Sequence, residues 1–129
     1  MKTRCFFLAI SRRKHLVAIS KKSRKSIFEI IKNGTKDIEV RVNDEKRRTL
    51  KIGDKILFLN RDYELETIIL NVIKLEYYKN FKELVNHYPM ERMYLNDYTK
   101  EDFLKELARF YTEEEQEEYG VVAIIFERE

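Results

Sequence analysis

The chain of 129 residues contains few of the residues that cross-link or interrupt a fold: one Cys, one Pro and three Gly. The single Cys5 cannot form an intrachain disulfide, which fits a reducing compartment. So little Pro and Gly argues against a disordered or low-complexity chain. No cluster of Cys and His has the spacing of metal ligands, so we expect no metal site.

Long apolar runs are also absent. The N-terminal run Cys5–Ile10 follows Lys2 and Arg4, as in a signal peptide, but it is shorter than the roughly 7–15 residues of a signal peptide's apolar region. No stretch reaches the ~20 apolar residues of a membrane-spanning helix. Glycine-rich phosphate loops and a recognisable Ser/His/Asp set are missing too. We expect a soluble, cytoplasmic protein with no membrane partner and no cofactor; the oligomeric state stays open.

Charge is abundant and unevenly distributed along the chain. Residues 1–61 hold 18 Lys and Arg against 6 Asp and Glu, whereas residues 62–129 hold 8 against 17. A basic half of this kind predicts a surface for a polyanion such as nucleic acid. The alternative is that the two halves neutralise each other across the fold. The length fits one domain, and the 43% of hydrophobic residues is enough for its core.

Apolar periodicity changes between strand and helix types along the chain. Short apolar runs at 5–10 and 15–19 predict strands, and a helix with Ile27, Ile30 and Ile31 on its buried face ends at Gly34. Alternation at 38–42 and the apolar segments KILFLN and TIILNVIKL predict three further strands. Helices capped by Thr99 and Thr112 precede a last strand, VVAIIFE. This order favours an α+β domain: a small mixed β-barrel with helices packed outside.

Three charged residues fall in or beside the strand that follows Gly34. Glu39 and Arg41 are two positions apart and share one face, while Lys36 precedes the regular strand. One interpretation is a solvent-exposed ion pair worth about 0–1 kcal/mol. The other is a pocket, in which Arg41 offers its fork of donors to a phosphate or a base edge. Glu39 would then accept from an amine or act as a general base, and Lys36 would hold an oxyanion or act as base or nucleophile.

A basic segment, EKRR, follows this strand at residues 45–48. Lys46, Arg47 and Arg48 are suited to contact a phosphate backbone beside the proposed cleft. A solvated turn is an equally good interpretation of the same residues.

The segment IFEIIKNGTKDIEVRVNDEKRRTLKIGDKILF resembles the opening of ASCH domains, which are members of the PUA-like superfamily. The resemblance is carried by the helix that ends at Asn33-Gly34, by Lys36-x-x-Glu39-x-Arg41 and by the Gly53-Asp54 turn. The later segments YYKNFKELVNHY and FYTEEEQEEYGVVAIIFE look like the family's closing helix and strand. We therefore expect a basic N-terminal extension at residues 1–14 and an ASCH domain at residues 15–129.

The resemblance implies a PUA-like β-barrel flanked by helices, with a cleft for RNA or a nucleotide-like ligand. We expect Lys36, Glu39, Arg41 and the segment Lys46–Arg48 to bind that ligand. Some relatives are amidohydrolases that act on N4-acylated cytidine, which would make Lys36 and Glu39 catalytic. Those enzymes have a threonine where this chain has Glu39, and their catalytic glutamate has no assigned counterpart here. A protein-interaction adaptor is the third alternative.

Overall fold

The computed structural model describes residues 6–10, 15–20, 25–60 and 66–129, and shows an α+β protein. Within these ranges the strands are β1 (Phe6–Ile10), β2 (His15–Ser20), β3 (Ile38–Val42), β4 (Lys55–Asn60), β5 (Thr67–Tyr78) and β6 (Val121–Arg128). The helices are α1 (Lys25–Lys32), α2 (Glu45–Arg48), α3 (Phe81–Leu84), α4 (Met90–Met93), α5 (Lys100–Ala108) and α6 (Glu113–Tyr119). The predicted fold class is confirmed.

The six strands form one mixed sheet in the order β1-β2-β4-β5-β6-β3. Strands β2 and β4 are parallel, and the other neighbours are antiparallel. The antiparallel part, β4-β5-β6-β3, curves as a half-barrel. Strand β1 pairs with β2 although it precedes residue 15; the proposed division of the chain at residue 14 stays a prediction.

Strand β6 is the centre of the core, because residues 121–126 are buried on both of its faces. This burial explains why its sequence is apolar without alternation. Helix α1 packs on the sheet through Phe28, which is fully buried and stacks on Phe58 with ring centroids 5.4 Å apart. The sequence predicted a buried face of Ile27, Ile30 and Ile31 and did not include Phe28. Ile31 is buried and Ile30 is partly buried, whereas the side chain of Ile27 lies outside the part of the chain that is described.

The ends of the later helices follow the sequence signals. Thr99 and Thr112 each form a capping box, with Asp102 and Glu115 respectively. The expected polar connection at residues 45–48 is instead the one-turn helix α2, whose first turn is capped by the side chain of Asp44. In the described ranges no helix combines the length and the apolar character needed to cross a membrane.

Candidate functional site

Lys36, Glu39 and Arg41 meet at β3, which is the outer strand of the half-barrel. The Glu39 carboxylate joins the two cations: its Oε1 lies 3.4 Å from Lys36 Nζ, and its Oε2 lies 3.0 Å from Arg41 Nε. Lys36 is 3% exposed and Arg41 is 1% exposed, which rules out the interpretation of these charges as a solvent-exposed pair. The three residues form a charged cluster, which we call the β3 cluster.

The chain around Gly34 turns Lys36 inward. Gly34 has a φ of +87°, in the left-handed region that glycine adopts without strain, and the Lys36 backbone N–H then donates to Ile30 O. The Lys36 ammonium donates to Met93 O at 2.8 Å and to Ile38 O. With Glu39 these acceptors give the buried ammonium the partners that a desolvated charge needs.

Helix α4 is fixed over Lys36 by an ion pair on its outer side. Arg92 donates from Nε and from a terminal nitrogen to the two oxygens of Asp37, at 2.8 and 3.1 Å. This two-point contact raises the pKa of Arg92. The Asp37 backbone N–H also donates to Arg92 O, so the Met93 carbonyl is held in place for Lys36.

Tyr111 and Arg47 extend the β3 cluster on the side of Arg41. A terminal nitrogen of Arg41 donates to the Tyr111 hydroxyl at 3.1 Å. Arg47, on α2, pairs with Asp44 at 3.5 Å, and its side chain is 14% exposed. Burial, followed by the nearby positive charge of Arg41, lowers the pKa of Arg47. Lys36 and Arg41 thus share Glu39, and Arg47 pairs with Asp44, so these five side chains together carry one net positive charge.

A cavity of about 50 Å³ lies beside the cluster. Phe103 and Phe110 are among its aromatic walls, and Tyr94 stacks on Phe103 with centroids 5.3 Å apart. This space admits a few water molecules or the edge of a planar ring, but not a whole nucleotide. Its lining residues are Lys36, Glu39, Val40, Met93, Tyr94, Phe103, Glu106, Leu107, Phe110 and Tyr111.

The remaining residues proposed from the sequence lie in different places. Arg41 does not line the cavity; it contacts Glu39 and Tyr111, which do. Arg47 reaches the cluster, but Lys46 and Arg48 are exposed. Arg48 donates from Nε to Asn43 O and lies over the Tyr119 ring, 5.5 Å from its centroid. On the short helix α2, Arg47 is therefore mostly buried beside the cluster, whereas Lys46 and Arg48 remain at the surface.

The structure adds Glu106 and Tyr111, which sequence reasoning did not select. Glu106 follows Phe103 by three positions and precedes Phe110 by four, so an acidic residue interrupts the apolar face of α5. That interruption was a usable signal. Tyr111 lies three positions beyond the end of α5 at Ala108, and no sequence signal pointed to it. Within the described ranges no three His, Cys, Asp or Glu side chains are grouped to hold a metal ion.

The comparisons with known proteins agree with this architecture. The model of the ASCH domain matches residues 22–129, and the chain belongs to the ASCH domain family. The crystal structure of the hypothetical protein PH0355 is 33% identical, with a TM-score of 0.67, over 81% of this chain and 93% of that one. The solution NMR structure of protein PF0455 from Pyrococcus furiosus is 31% identical, with a TM-score of 0.63, over 81% and 90%. No curated protein matches the chain.

Proposed function

We propose that this protein is a binding module for single-stranded RNA or a nucleotide, and that the β3 cluster and its cavity are the binding site. The supporting observation is the convergence of Lys36, Glu39 and Arg41 beside a cavity with aromatic walls. Cations that neutralise phosphate, together with aromatic rings that stack on bases, are the usual means of binding single-stranded nucleic acid.

The residues of the β3 cluster and the basic residues of α2 would have different roles in binding. Arg47 is the cation nearest to solvent and would contact a phosphate, with the exposed Lys46 and Arg48 along the outside. Glu39 is 16% exposed and would accept a hydrogen bond from a base amine. Lys36 and Arg41 are almost fully buried, so they would hold the Glu39 carboxylate in place rather than contact phosphate.

Binding of a labelled, single-stranded RNA octamer of mixed sequence tests this function. We expect fluorescence anisotropy to show binding at 50 mM salt that weakens at 200 mM salt, because phosphate contacts release counterions. The Arg47→Gln variant is expected to bind several-fold more weakly at low salt and to stay folded, because it also removes repulsion with Arg41.

Lys100→Gln is the matched control for this experiment, since it removes an exposed cation at the start of α5. It is expected to bind as the unmodified protein does. An absence of binding at 50 mM salt, or affinity that does not change with salt, would contradict the proposal.

An amidohydrolase is the second candidate, and the position of Glu106 favours it. Glu106 lines the same cavity as Lys36 and Glu39, so it is our candidate for the catalytic glutamate that those enzymes use and that the sequence alone did not assign. Two features oppose it: Glu39 replaces a neutral threonine, and three oxygen acceptors already surround Lys36 Nζ. A base or nucleophile requires a free electron pair on that nitrogen.

An activity assay decides between the binding module and the amidohydrolase. The protein is incubated with N4-acetylcytidine, and the products are separated by chromatography. Release of cytidine that is lost in the Glu106→Gln variant would establish the enzyme. Inactivity toward a panel of N4-acylated cytidines, together with salt-dependent RNA binding, would leave the binding module as the function.

A further inference from the structure

Among the strands that the structure describes, β3 has a partner on one edge only, and the register identifies the residues on its other edge. Phe126 N donates to Asp37 O, and Asn43 N donates to Gly120 O. These two bonds show that the odd-numbered residues of β3 form the hydrogen-bonded pairs with β6. In an antiparallel ladder the intervening residues point their N–H and C=O groups the other way. Ile38, Val40 and Val42 therefore present their peptide groups to the open edge.

Two observations separate Val40 from its neighbours on this edge. The carbonyl of Ile38 already accepts from Lys36 Nζ, which agrees with its outward direction. Val40 lines the cavity, whereas Val42 does not. Among the described residues none hydrogen-bonds to the outward N–H and C=O of Val40. A residue that lines the cavity thus carries one outward donor and one outward acceptor, side by side, on the open edge of β3.

The short length of the open edge and the small volume of the cavity indicate which ligand can bind there. Strand addition by a peptide needs several consecutive residues on the edge, but Lys36 closes the edge at Ile38, and only Val40 reaches the cavity. A volume of about 50 Å³ admits the edge of a flat ring between aromatic walls. A heterocycle with an adjacent donor and acceptor satisfies both groups of Val40 at once.

We propose that the main chain of Val40 reads the Watson–Crick edge of an unpaired nucleobase, an inference that rests on the proposed function. The N–H of Val40 donates to an acceptor of the base, and the C=O of Val40 accepts from the neighbouring base N–H. Because base pairing uses the same edge, duplex RNA cannot make this contact. Single-stranded RNA is therefore expected to bind at least tenfold more tightly than a duplex of the same sequence.

Amide hydrogen exchange of the full chain, followed by NMR with the RNA octamer, tests the contact directly. We expect saturating RNA to slow the exchange of the Val40 amide at least tenfold. The Val42 amide, which lies on the same open edge outside the cavity, is the internal control and is expected to change little. The amides of Glu39 and Arg41 bond to β6 and are protected with or without RNA.

A matched pair of substitutions tests the same donor by affinity. Val40→Pro and Val42→Pro each remove one outward N–H from an edge strand, where proline is tolerated. Only Val40→Pro is expected to weaken RNA binding, by about 3- to 10-fold for one hydrogen bond. If Val40→Pro does not fold, replacement of the Val40 amide by an ester removes the same donor with less change in the backbone.

The outcomes separate this inference from the proposed function. Salt-dependent RNA binding with unchanged exchange of the Val40 amide overturns the inference and leaves the function intact. Equal affinity for single-stranded and duplex RNA would also overturn the inference and leave the proposed function intact. Failure to bind RNA at all overturns the function, and the inference with it.

Discussion

Glu39 is the residue on which the charged cluster depends. It is the anion shared by Lys36 and Arg41, which are both almost fully buried. A desolvated cation without a counter-ion is costly, whereas the same pair at the surface contributes little. The charge of Glu39 is therefore as important for folding as for any ligand.

Glu39→Gln keeps the shape of the side chain and removes its charge. We expect the free energy of unfolding to fall by about 3 kcal/mol, near the lower end of the cost of breaking a buried pair, because Lys36 keeps two carbonyl partners. Urea denaturation measures the difference.

Glu66→Gln is the control: Glu66 pairs with Lys32 at 2.9 Å, but both side chains are about one third or more exposed. It is expected to cost less than about 1 kcal/mol, and an equal loss in both variants would contradict the argument.

Glu76 provides a pH-dependent contribution on another part of the sheet. The Tyr88 hydroxyl donates to its carboxylate, and Lys74 lies 3.1 Å away. These two contacts, Tyr88 first, lower the pKa of Glu76 below its ordinary 4.5. Burial and the same hydrogen bond raise the pKa of Tyr88, so the phenol stays a donor throughout the acidic range.

The sign of the pH effect follows from the lowered pKa of Glu76. Its contribution to stability is fully present above pH 4.5 and disappears as the pH falls through the lower pKa of the folded state. Urea denaturation of the protein and of Glu76→Gln should therefore differ at pH 7 and converge in strong acid. Tyr88→Phe should return the pKa of Glu76, followed by NMR titration, toward 4.5. An unchanged pKa in this variant would show that Tyr88 is not the principal cause.

At the scale of elements, Gly120 joins α6 to β6 with a backbone that other residues avoid. Its φ is 71° and its ψ is −175°, and an added Cβ would lie 3.3 Å from Tyr78 O. Gly120 O also accepts from Asn43 N, which ties this junction to β3. The residue thus sets where β6 begins beside the strand that carries the site.

Gly120→Ala is expected to lower the free energy of unfolding by about 2–3 kcal/mol, from backbone strain and the close contact with Tyr78. Gly34→Ala is the matched comparison: its φ is +87°, but no heavy atom of the described residues lies within 4 Å of an added Cβ. It is expected to cost about 1 kcal/mol, from strain alone. Thermal unfolding of the two variants measures the difference. An equal loss of stability in both would show that the contact with Tyr78 O contributes nothing.

Most elements were predictable because their signals are local. The capping boxes at Thr99 and Thr112 lie within four residues each, and the alternation of Ile38, Val40 and Val42 defines β3 by itself. Helix α2 was missed because a single turn has too few positions to show a period. Phe28 was missed because several apolar residues on α1 compete for the buried face, and contact with Phe58 decides between them.

At the scale of the whole molecule, the uneven charge predicts how RNA is attracted. Replacement of Arg12, Arg13 and Lys14 by Gln removes three cations from the basic half. If they contact phosphates, the slope of log affinity against log salt should become shallower by about 2, equally for all RNA sequences. The control replaces three exposed cations of the acidic half by Gln, which changes the net charge by the same amount: Lys74, Lys82 and Lys100. Equal effects of the two triple variants would mean that only net charge matters.

The sequence by itself determined the kinds and order of most elements, the glycine turns and the family motif, because periodicity, caps and turns depend on neighbours a few positions apart. Only the tertiary structure decided that Lys36 reaches a carbonyl 57 positions away and that Arg41 reaches a hydroxyl 70 positions away. The position of β3 at the edge of the half-barrel, under α4 and near the end of α5, creates these contacts. Their formation depends on how the strands are ordered in space, which no local pattern in the chain encodes.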